Sequence, residues 1–124
     1  MDLICIAVGL RPLVELARLA QCSIEYVEGL GGFLPLHNHS MCTSKRDIYV
    51  AGDITGIEEA STAMEEGKLA GVSAARSLGK LSATEYDEVK ESINKSLLEL
   101  RMGSFGDERR QCKEDIYRRY DLLG

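Results

Sequence analysis

The sequence lacks several patterns that would point directly to a function. Its four cysteines form no C-x-x-C pair, which excludes a redox-disulfide, iron–sulfur or zinc-knuckle spacing and leaves reduced, mostly buried thiols as the expectation. No apolar run approaches the roughly 18 residues of a membrane span, and the first residues carry no basic leader or cleavage site. We therefore predict a cytoplasmic protein without a membrane partner. Internal repeats and low-complexity stretches are also missing.

A cationic surface is missing too. The formal net charge is -5, and the basic residues are spread or paired with acids, apart from two arginine pairs at 109–110 and 118–119. Nucleic acid is therefore not expected as a partner. With 124 residues, of which 44% are hydrophobic and 28% charged, the chain has the composition of a single globular domain with a modest core.

The apolar pattern predicts an α/β fold with a small sheet. Strands are predicted at residues 3–8, 23–27 and 48–51, the first as a buried strand that ends at Gly9. A short helix is predicted from Pro12 to about residue 21. Three or four short strands cannot make a full doubly wound sheet, so the helical tail or a second copy is expected to cover the edges.

Helices are predicted through the second half. One helix spans residues 58–78, has a face of alanines and glycines suited to close packing on a sheet, and ends at Gly79. Ser82 and Glu85 have the spacing of a capping box, followed by an apolar stripe that ends near Gly103. Asp107 is the predicted N-cap of a last helix, and the tail is interpreted as a helical hairpin.

The junction at Gly52-Asp53 carries the chemistry. Glycine lets backbone approach a ligand closely, and a carboxylate accepts hydrogen bonds from a sugar-alcohol chain. The helix that follows directs free N–H groups and its positive dipole end towards an electron-rich ring edge. A short strand, Gly-Asp and a helix together favour a flavin dinucleotide as the ligand.

Two stretches carry a family resemblance. T-S-K-R-D-I-Y-V-A-G-D at residues 43–53, followed by G-I-E-E-A-S-T-A-M-E-E-G at 56–67, resembles the C-terminal flavin motif of FAD-dependent pyridine nucleotide-disulfide oxidoreductases. D-L-I-C-I-A-V-G-L-R-P at 2–12 resembles the segment that returns from the NAD(P)-binding insertion. Within the family, the chain is most similar to the flavin subunit of amine and amino-acid dehydrogenases of the proline dehydrogenase, opine oxidase and hydrogen cyanide synthase type.

The resemblance implies a partial FAD/NAD(P)-binding fold with three parts. Residues 1–35 would end the NAD(P)-binding insertion, 36–79 would form the C-terminal part of the FAD-binding domain, and 80–124 would be a helical tail. Asp53 would hold the ribityl chain of FAD, and Gly52 would give it room. Gly9 would lie near a dinucleotide, and the start of the long helix would lie near the isoalloxazine through Ala60, Ser61 and Thr62.

One part of the family pattern is missing from the sequence. No G-x-G-x-x-G occurs, so the cradle for the pyrophosphates of FAD and NAD(P) is absent. The chain resembles the last quarter to third of such an enzyme, and we expect weak or no FAD binding without the N-terminal portion or a partner subunit. The alternative is a non-catalytic interaction or structural module with a vestigial flavin motif, which forms a homodimer through its helical tail.

Simpler interpretations stand beside these. Asp53 is also explained as a turn residue, since Gly-Asp pairs are common in turns. The H-x-H-x-x-C cluster of His37, His39 and Cys42 lacks a fourth ligand, so no metal site is predicted. The acids of the long helix are interpreted as a solvated face, and the arginines of the last helix as surface ion pairs with Glu114.

Overall fold

The computed structural model describes residues 2–124, and its elements confirm a mixed α/β chain with a small sheet. Six helices and strands follow one another along these residues, with two short 3-10 turns at Glu28–Leu30 and Gly52–Thr55. None of the helices among them is long and apolar enough to cross a membrane. The elements are α1 (Glu15–Leu19), β1 (Ile24–Val27), β2 (Gly32–Pro35), α2 (Ala60–Ser77), α3 (Ala83–Leu100) and α4 (Ser104–Asp121).

The sheet is a single antiparallel hairpin. Ile24 lies opposite Pro35 and Val27 opposite Gly32. The connection is the first 3-10 turn, after which Gly31 adopts φ +93°, a left-handed conformation that glycine adopts without steric cost. The predicted strand at 23–27 is therefore confirmed, and its partner is the segment that follows the glycines.

The strand predicted at residues 3–8 is wrong. This segment forms no strand, and Leu3, Ile6 and Val8 are 84%, 78% and 92% exposed. A run that is apolar at every position suits a strand covered on both faces, and such a strand needs neighbours to form. Within residues 2–124 no strand lies beside this segment.

The strand predicted at residues 48–51 is also wrong, although this segment is anchored. Tyr49 makes one isolated antiparallel bridge with Cys42. The Val50 N–H donates to the Met41 carbonyl at 3.0 Å, and Val50 is buried. A short β-rich segment with a single irregular neighbour therefore forms a bridge and no sheet.

The helical hairpin of this chain is formed by α2 and α3. The predicted capping box is confirmed, because the Glu85 N–H donates to Ser82 Oγ at 3.2 Å and the Ser82 N–H donates to Glu85 Oε2 at 2.9 Å. Gly79 follows α2 with φ +69°, as expected for a helix-ending glycine. The two helices pack together around Met41, Leu69, Ile93 and Leu97.

The predicted small face of α2 does not pack on a sheet. A Cβ atom added at Gly67 or Gly71 would meet nothing within 4 Å, and both glycines are exposed. The buried face is offset from the predicted one and includes Thr62, Glu66, Leu69 and Ser73. Because the sheet is a small hairpin packed under another helix, α2 has no sheet surface to approach.

The last helix packs on the β-hairpin. Ile116 and Tyr117 are buried against Val27, Leu30 and other residues of the hairpin. The tail is therefore two helices, as predicted, but α3 lies against α2 and α4 against the hairpin region, so the predicted tail hairpin is wrong. The helix begins at Ser104, after Gly103, so Asp107 is not its N-cap.

The connection between α3 and α4 is tight. The helices end and begin at Leu100 and Ser104. A Cβ atom at Gly106 would overlap the backbone carbonyl of Arg101, so a side chain at this position cannot be accommodated without moving the backbone. The direction in which α4 leaves α3 is therefore fixed locally.

Candidate functional site

The Gly52–Thr55 turn forms the centre of the site. Gly52 has φ +78°, which L-residues with a Cβ rarely adopt, and an added Cβ would lie 3.4 Å from Ala63 Cβ. The Thr55 hydroxyl lies 2.8 Å from the Gly52 carbonyl, and the Gly56 N–H donates to the Asp53 carbonyl at 3.2 Å. Gly56 has φ +122°, and a Cβ there would be 2.9 Å from Leu30 Cδ2. Glycines therefore set the backbone on both sides of Asp53.

Asp53 lies at the exposed tip of this turn. Within residues 2–124, its carboxylate takes part in no hydrogen bond or ion pair. A turn residue with a purely local role would be expected to hydrogen-bond its own backbone. The carboxylate is thus free to accept hydrogen bonds from a ligand.

The start of α2 follows seven residues after Asp53. Ala60 and Ser61 are exposed and Thr62 is buried. Glu59 is the N-cap residue, but its side chain makes no capping hydrogen bond. The first N–H groups of α2 therefore lack a side-chain acceptor and retain the partial positive charge of a helix N-terminus.

The connection between α3 and α4 lies beside the α2 start. A cavity of about 150 Å³ is lined there by Glu58, Thr62, Arg101, Phe105 and Arg109, among others. Ligand pockets typically measure roughly 300 Å³ or more. The cavity is therefore too small to be a complete cofactor site, and any large planar ligand at the α2 start must lie mostly outside it.

Four buried charges connect the turn, α2 and the tail. Lys113 Nζ lies 2.8 Å from Glu66 Oε1 and 3.3 Å from Glu58 Oε1. Arg101 makes two hydrogen bonds to Glu58, at 2.9 and 2.8 Å, and one to Glu66, at 2.6 Å. The four side chains are at most 8% exposed. We call Glu58, Glu66, Arg101 and Lys113 the ionic cluster.

The Glu66 carboxylate is saturated with hydrogen-bond donors. One oxygen, Oε1, accepts from Lys113 and Arg101, and the other, Oε2, accepts from the Gly52 N–H at 2.9 Å and lies 2.7 Å from the Thr55 hydroxyl. Burial alone would raise the pKa of Glu66, but the charge and hydrogen bond of Lys113, helped by Thr55 and Arg101, hold this pKa below its ordinary value. Glu66 is therefore a carboxylate in the folded chain.

His37 is the buried polar group beside this cluster. Its Nδ1 lies 2.8 Å from the Pro35 carbonyl, while Nε2 has no hydrogen-bond partner among the described residues. Burial, followed by the charge of Lys113, lowers the pKa of His37 to about 4. The ring is neutral at pH 7 and packs edge-on against Tyr117, with centroids 5.8 Å apart.

The two histidines of the H-x-H-x-x-C pattern lie beside the same tyrosine. The rings of His37 and His39 both lie against Tyr117, and His39 is exposed. Over residues 2–124, no group of three or more histidine, cysteine, aspartate or glutamate side chains is arranged to hold a metal ion.

Comparison with known proteins identifies the family. Residues 1–67, more than half of the chain, match the family model described as pyridine nucleotide-disulphide oxidoreductase. The chain belongs to this family. The resemblance seen in the sequence is thereby confirmed, and oxidoreductases of this family generally bind FAD and NAD(P).

Among the curated relatives are the A subunits of opine oxidases. The protein from Rhizobium meliloti (strain 1021) is 32% identical over 73% of this chain and 21% of its own length. The protein from Agrobacterium tumefaciens (strain Ach5) is 36% identical over 62% of this chain and 15% of its own length. The chain thus spans about a fifth or less of these relatives. No solved structure matches it.

The structure brings only some of the residues implied by the family resemblance together. Gly52 and Asp53 form the turn, and Thr62 faces the cavity beside Arg101. Ser61 lines a separate groove between α2 and α3, of about 400 Å³. Gly9 is exposed on the segment that forms no strand, and a Cβ there would meet nothing within 4 Å.

The sequence-based interpretation missed the ionic cluster. The prediction that Glu58 and Glu66 belong to a solvated face is wrong, because their side chains are 7% and 2% exposed. The expected ion pairs of Glu114 are not formed either, since Arg110 pairs with Asp107 and Arg118 with Asp115. Helical spacing identifies neighbours within one helix but gives no sign of cations 35 and 47 residues away.

Proposed function

We propose that this chain contributes the ribityl- and isoalloxazine-contacting part of an FAD-dependent oxidoreductase. The observation that carries the proposal is the free, exposed Asp53 carboxylate, presented between Gly52 and Gly56 and followed by an uncapped helix start. FAD supplies the electron-transfer chemistry when bound. The residues of this chain orient it.

Each implied residue has one role in this proposal. Asp53 would accept hydrogen bonds from the ribityl hydroxyls, and Gly52 would let the chain approach without a Cβ. Ala60, Ser61 and Thr62 would present the positive end of α2 to the ring edge that gains charge on reduction. Gly9 would lie where the N-terminal segment passes the dinucleotide.

The residues proposed here would serve the ribityl chain and ring of FAD but not its phosphates. The sequence contains no G-x-G-x-x-G, and the cavity at the α2 start is small. We therefore propose that an N-terminal portion or partner subunit supplies the pyrophosphate-binding half, with NAD(P) as a further cofactor of the complete enzyme. The exposed apolar residues at 3–8 are the surface it would cover.

The substrate proposed is of the amine type. It follows from the relatives named as opine oxidase A subunits, which are similar to this chain over most of its length. Electrons would pass between this substrate, or NAD(P)H, and FAD in the complete protein.

A titration of the isotopically labelled chain tests the proposal. FMN carries the ribityl chain and the ring without adenine, whereas ADP carries adenine and the pyrophosphate. We expect FMN at millimolar concentration to shift the amide resonances of Gly52, Asp53 and Ala60–Thr62, and ADP to leave them unchanged. Asp53→Asn should weaken the FMN effect. Equal shifts with ADP, or no response at the turn, would contradict the proposal.

Complementation tests the missing half. The chain should retain flavin through purification when it is co-expressed with the part of a related opine oxidase A subunit that precedes the matched region, and not when it is expressed alone. Flavin absorbance per mole of protein is the measurement.

Self-association through the helical tail is the second candidate. It is favoured by exposed apolar side chains on and beside α3 and α4, of which Phe105 is 91%, Met102 68% and Leu98 51% exposed. In this case the flavin motif would be vestigial. A stable dimer by sedimentation, abolished by Phe105→Asp, together with no FMN response at Asp53, would support this function over the first.

A further inference from the structure

Building on the flavin site proposed above, we propose that Lys113 of α4 is a positioning residue for that site. It does not reach the ligand. Acting directly on Thr55 and through Glu66 on Gly52, it holds the Gly52–Thr55 turn in the shape that presents Asp53. The tail is then a working part of the site, which the family match over residues 1–67 does not include.

The contacts of Lys113 account for all of its donors. Its ammonium has three N–H groups, and three acceptors lie at 2.8 Å, namely the Thr55 carbonyl, the Thr55 hydroxyl and Glu66 Oε1. The side chain is 1% exposed, so water does not compete for these bonds. A fully satisfied, buried ammonium fixes its acceptors more firmly than an exposed one.

The two ends of the turn are held by different atoms of this arrangement. Thr55, at the end of the turn, is held by Lys113 directly. Gly52, at the start, donates its N–H to Glu66 Oε2, whose partner oxygen accepts from Lys113. Asp53 lies between the two held residues, and its carboxylate makes no hydrogen bond of its own within residues 2–124. The position of its carboxylate is therefore set by the hydrogen bonds that hold Thr55 and Gly52 on either side, which we call the clamp on the turn.

Charge balance makes Lys113 necessary for this geometry. The ionic cluster has two carboxylates and two cations, and Arg101 bonds Glu58 through two nitrogens. Without Lys113, Arg101 alone would face two buried carboxylates, and Glu66 would lose one of its four donors. A buried carboxylate without enough positive charge beside it draws in water or shifts towards solvent. A shift of Glu66 would weaken its hydrogen bond from the Gly52 N–H and so change the start of the turn.

Arg109 adds a second attachment of α4 to the same region. Its guanidinium donates to the Ile57 carbonyl at 3.0 Å, between the turn and the α2 start. This contact is only partly buried and involves no charged acceptor. It ties α4 to the chain after the turn, whereas Lys113 controls the turn itself.

The test compares Lys113→Met with Ile116→Val, a buried position on the same helix that contacts the hairpin core. For each chain, hydrogen exchange of the Gly52 amide is measured against that of Leu69 in the middle of α2, and FMN affinity is measured by titration. We expect Lys113→Met to speed exchange at Gly52 relative to Leu69 and to weaken FMN binding about tenfold, the effect of losing one hydrogen bond to a charged group. Ile116→Val should change neither.

A second variant keeps the test decisive if Lys113→Met does not fold. Thr55→Val removes the hydroxyl while nearly preserving side-chain shape, and the same two changes are expected in smaller size. The proposal is overturned if Gly52 exchange and FMN affinity stay at wild-type values in the folded variants, or if Ile116→Val alters both as strongly. Should the wild-type chain not bind FMN while Gly52 exchange still responds, the flavin function fails and the clamp on the turn stands.

Discussion

The N-terminal segment at residues 2–13 and the Gly52–Thr55 turn belong to the same family match, yet the folded chain treats them differently. Nearly all of the N-terminal segment is exposed, including Ile6 at 78%. The turn is held by hydrogen bonds to Glu66 and Lys113, both almost fully buried. A sequence motif adopts a fixed conformation when other residues pack against it. Here the tail packs against the Gly52–Thr55 turn through Lys113 and leaves the N-terminal segment exposed.

The largest expected loss of stability comes from removing Glu66, which accepts a hydrogen bond from the turn. Glu66→Ala leaves Arg101 and Lys113 with Glu58 as their one carboxylate partner, and we expect a loss of about 3–5 kcal/mol in the free energy of unfolding. Glu65→Ala is the matched control, since the Glu65 ion pair with Lys68 is partly exposed and is expected to contribute less than about 1 kcal/mol. Urea denaturation measures both. Equal losses would break the contrast between buried and surface charge.

Acid should lower the free energy of unfolding of the chain through His37. His37 has a folded-state pKa of about 4, lowered from 6.5, so the unfolded chain binds the extra proton first as pH falls. The stability that comes from neutral His37 is complete above about pH 6.5 and is lost as pH falls towards 4. The loss is expected to be roughly 3 kcal/mol, since each pKa unit corresponds to about 1.4 kcal/mol.

Denaturation at a series of pH values checks this expectation. His37→Gln should flatten the dependence between pH 6.5 and 4, and His39→Gln, at an exposed position, should leave it in place. A wild-type curve without slope in this interval would contradict the assignment to His37. The charged neighbours that face this ring are Lys113, Arg101 and Glu66.

Alanine substitutions at two glycines with positive φ compare the turn region with the N-terminal segment directly. Gly56→Ala places a methyl group 2.9 Å from Leu30 Cδ2 in a left-handed conformation, and we expect a cost of about 1–3 kcal/mol. Gly9→Ala has the same sign of φ, at +106°, but open space around it. Because that segment is free to relax, its cost is expected below about 1 kcal/mol by urea denaturation. A larger cost at Gly9 would show that the N-terminal segment is held.

The smallest effect is expected in the exposed segment itself. Ile6→Asp should change the free energy of unfolding of the isolated chain by less than about 0.5 kcal/mol, as for other unsupported surface positions. Val50→Asp, at a buried position, should cost several times more. In the co-expression experiment, Ile6→Asp should nevertheless prevent flavin retention, because it places a charge where the second half is expected to pack.

Local signals in the sequence were sufficient for the helices and for the motif. The capping box at Ser82, the glycine end of α2 and the Gly52-Asp53 turn depend on residues close in sequence, and each is present. The division into residues 1–35, 36–79 and 80–124 stays a prediction. The strand predicted at 23–27 formed, but those predicted at 3–8 and 48–51 did not, because a strand depends on neighbouring strands: residues 3–8 have the pattern of a covered strand and no cover.

Long-range chemistry could not be predicted in the same way. Glu66 and Lys113 each look like ordinary helix-surface residues, because glutamate and lysine are common helix formers at exposed positions. Their burial follows from where α4 packs, because Lys113 reaches Thr55 and Glu66 from that position and the tight connection after α3 sets where α4 begins. Gly106 permits this connection, but the sequence alone does not reveal its role, because its close approach to Arg101 is visible only once the backbone is known.

Because Gly106 lies so close to Arg101, the number of residues between Arg101 and Lys113 matters as much as the positive charge of these two side chains. Arg101 reaches the carboxylates from the end of α3, and Lys113 reaches them from the third turn of α4. One residue inserted between Arg101 and Lys113 would rotate the lysine by about 100° around the helix axis and shift it by about 1.5 Å. Homologous tails that preserve both cations but differ in the length between them would therefore be unable to fasten the turn in this way.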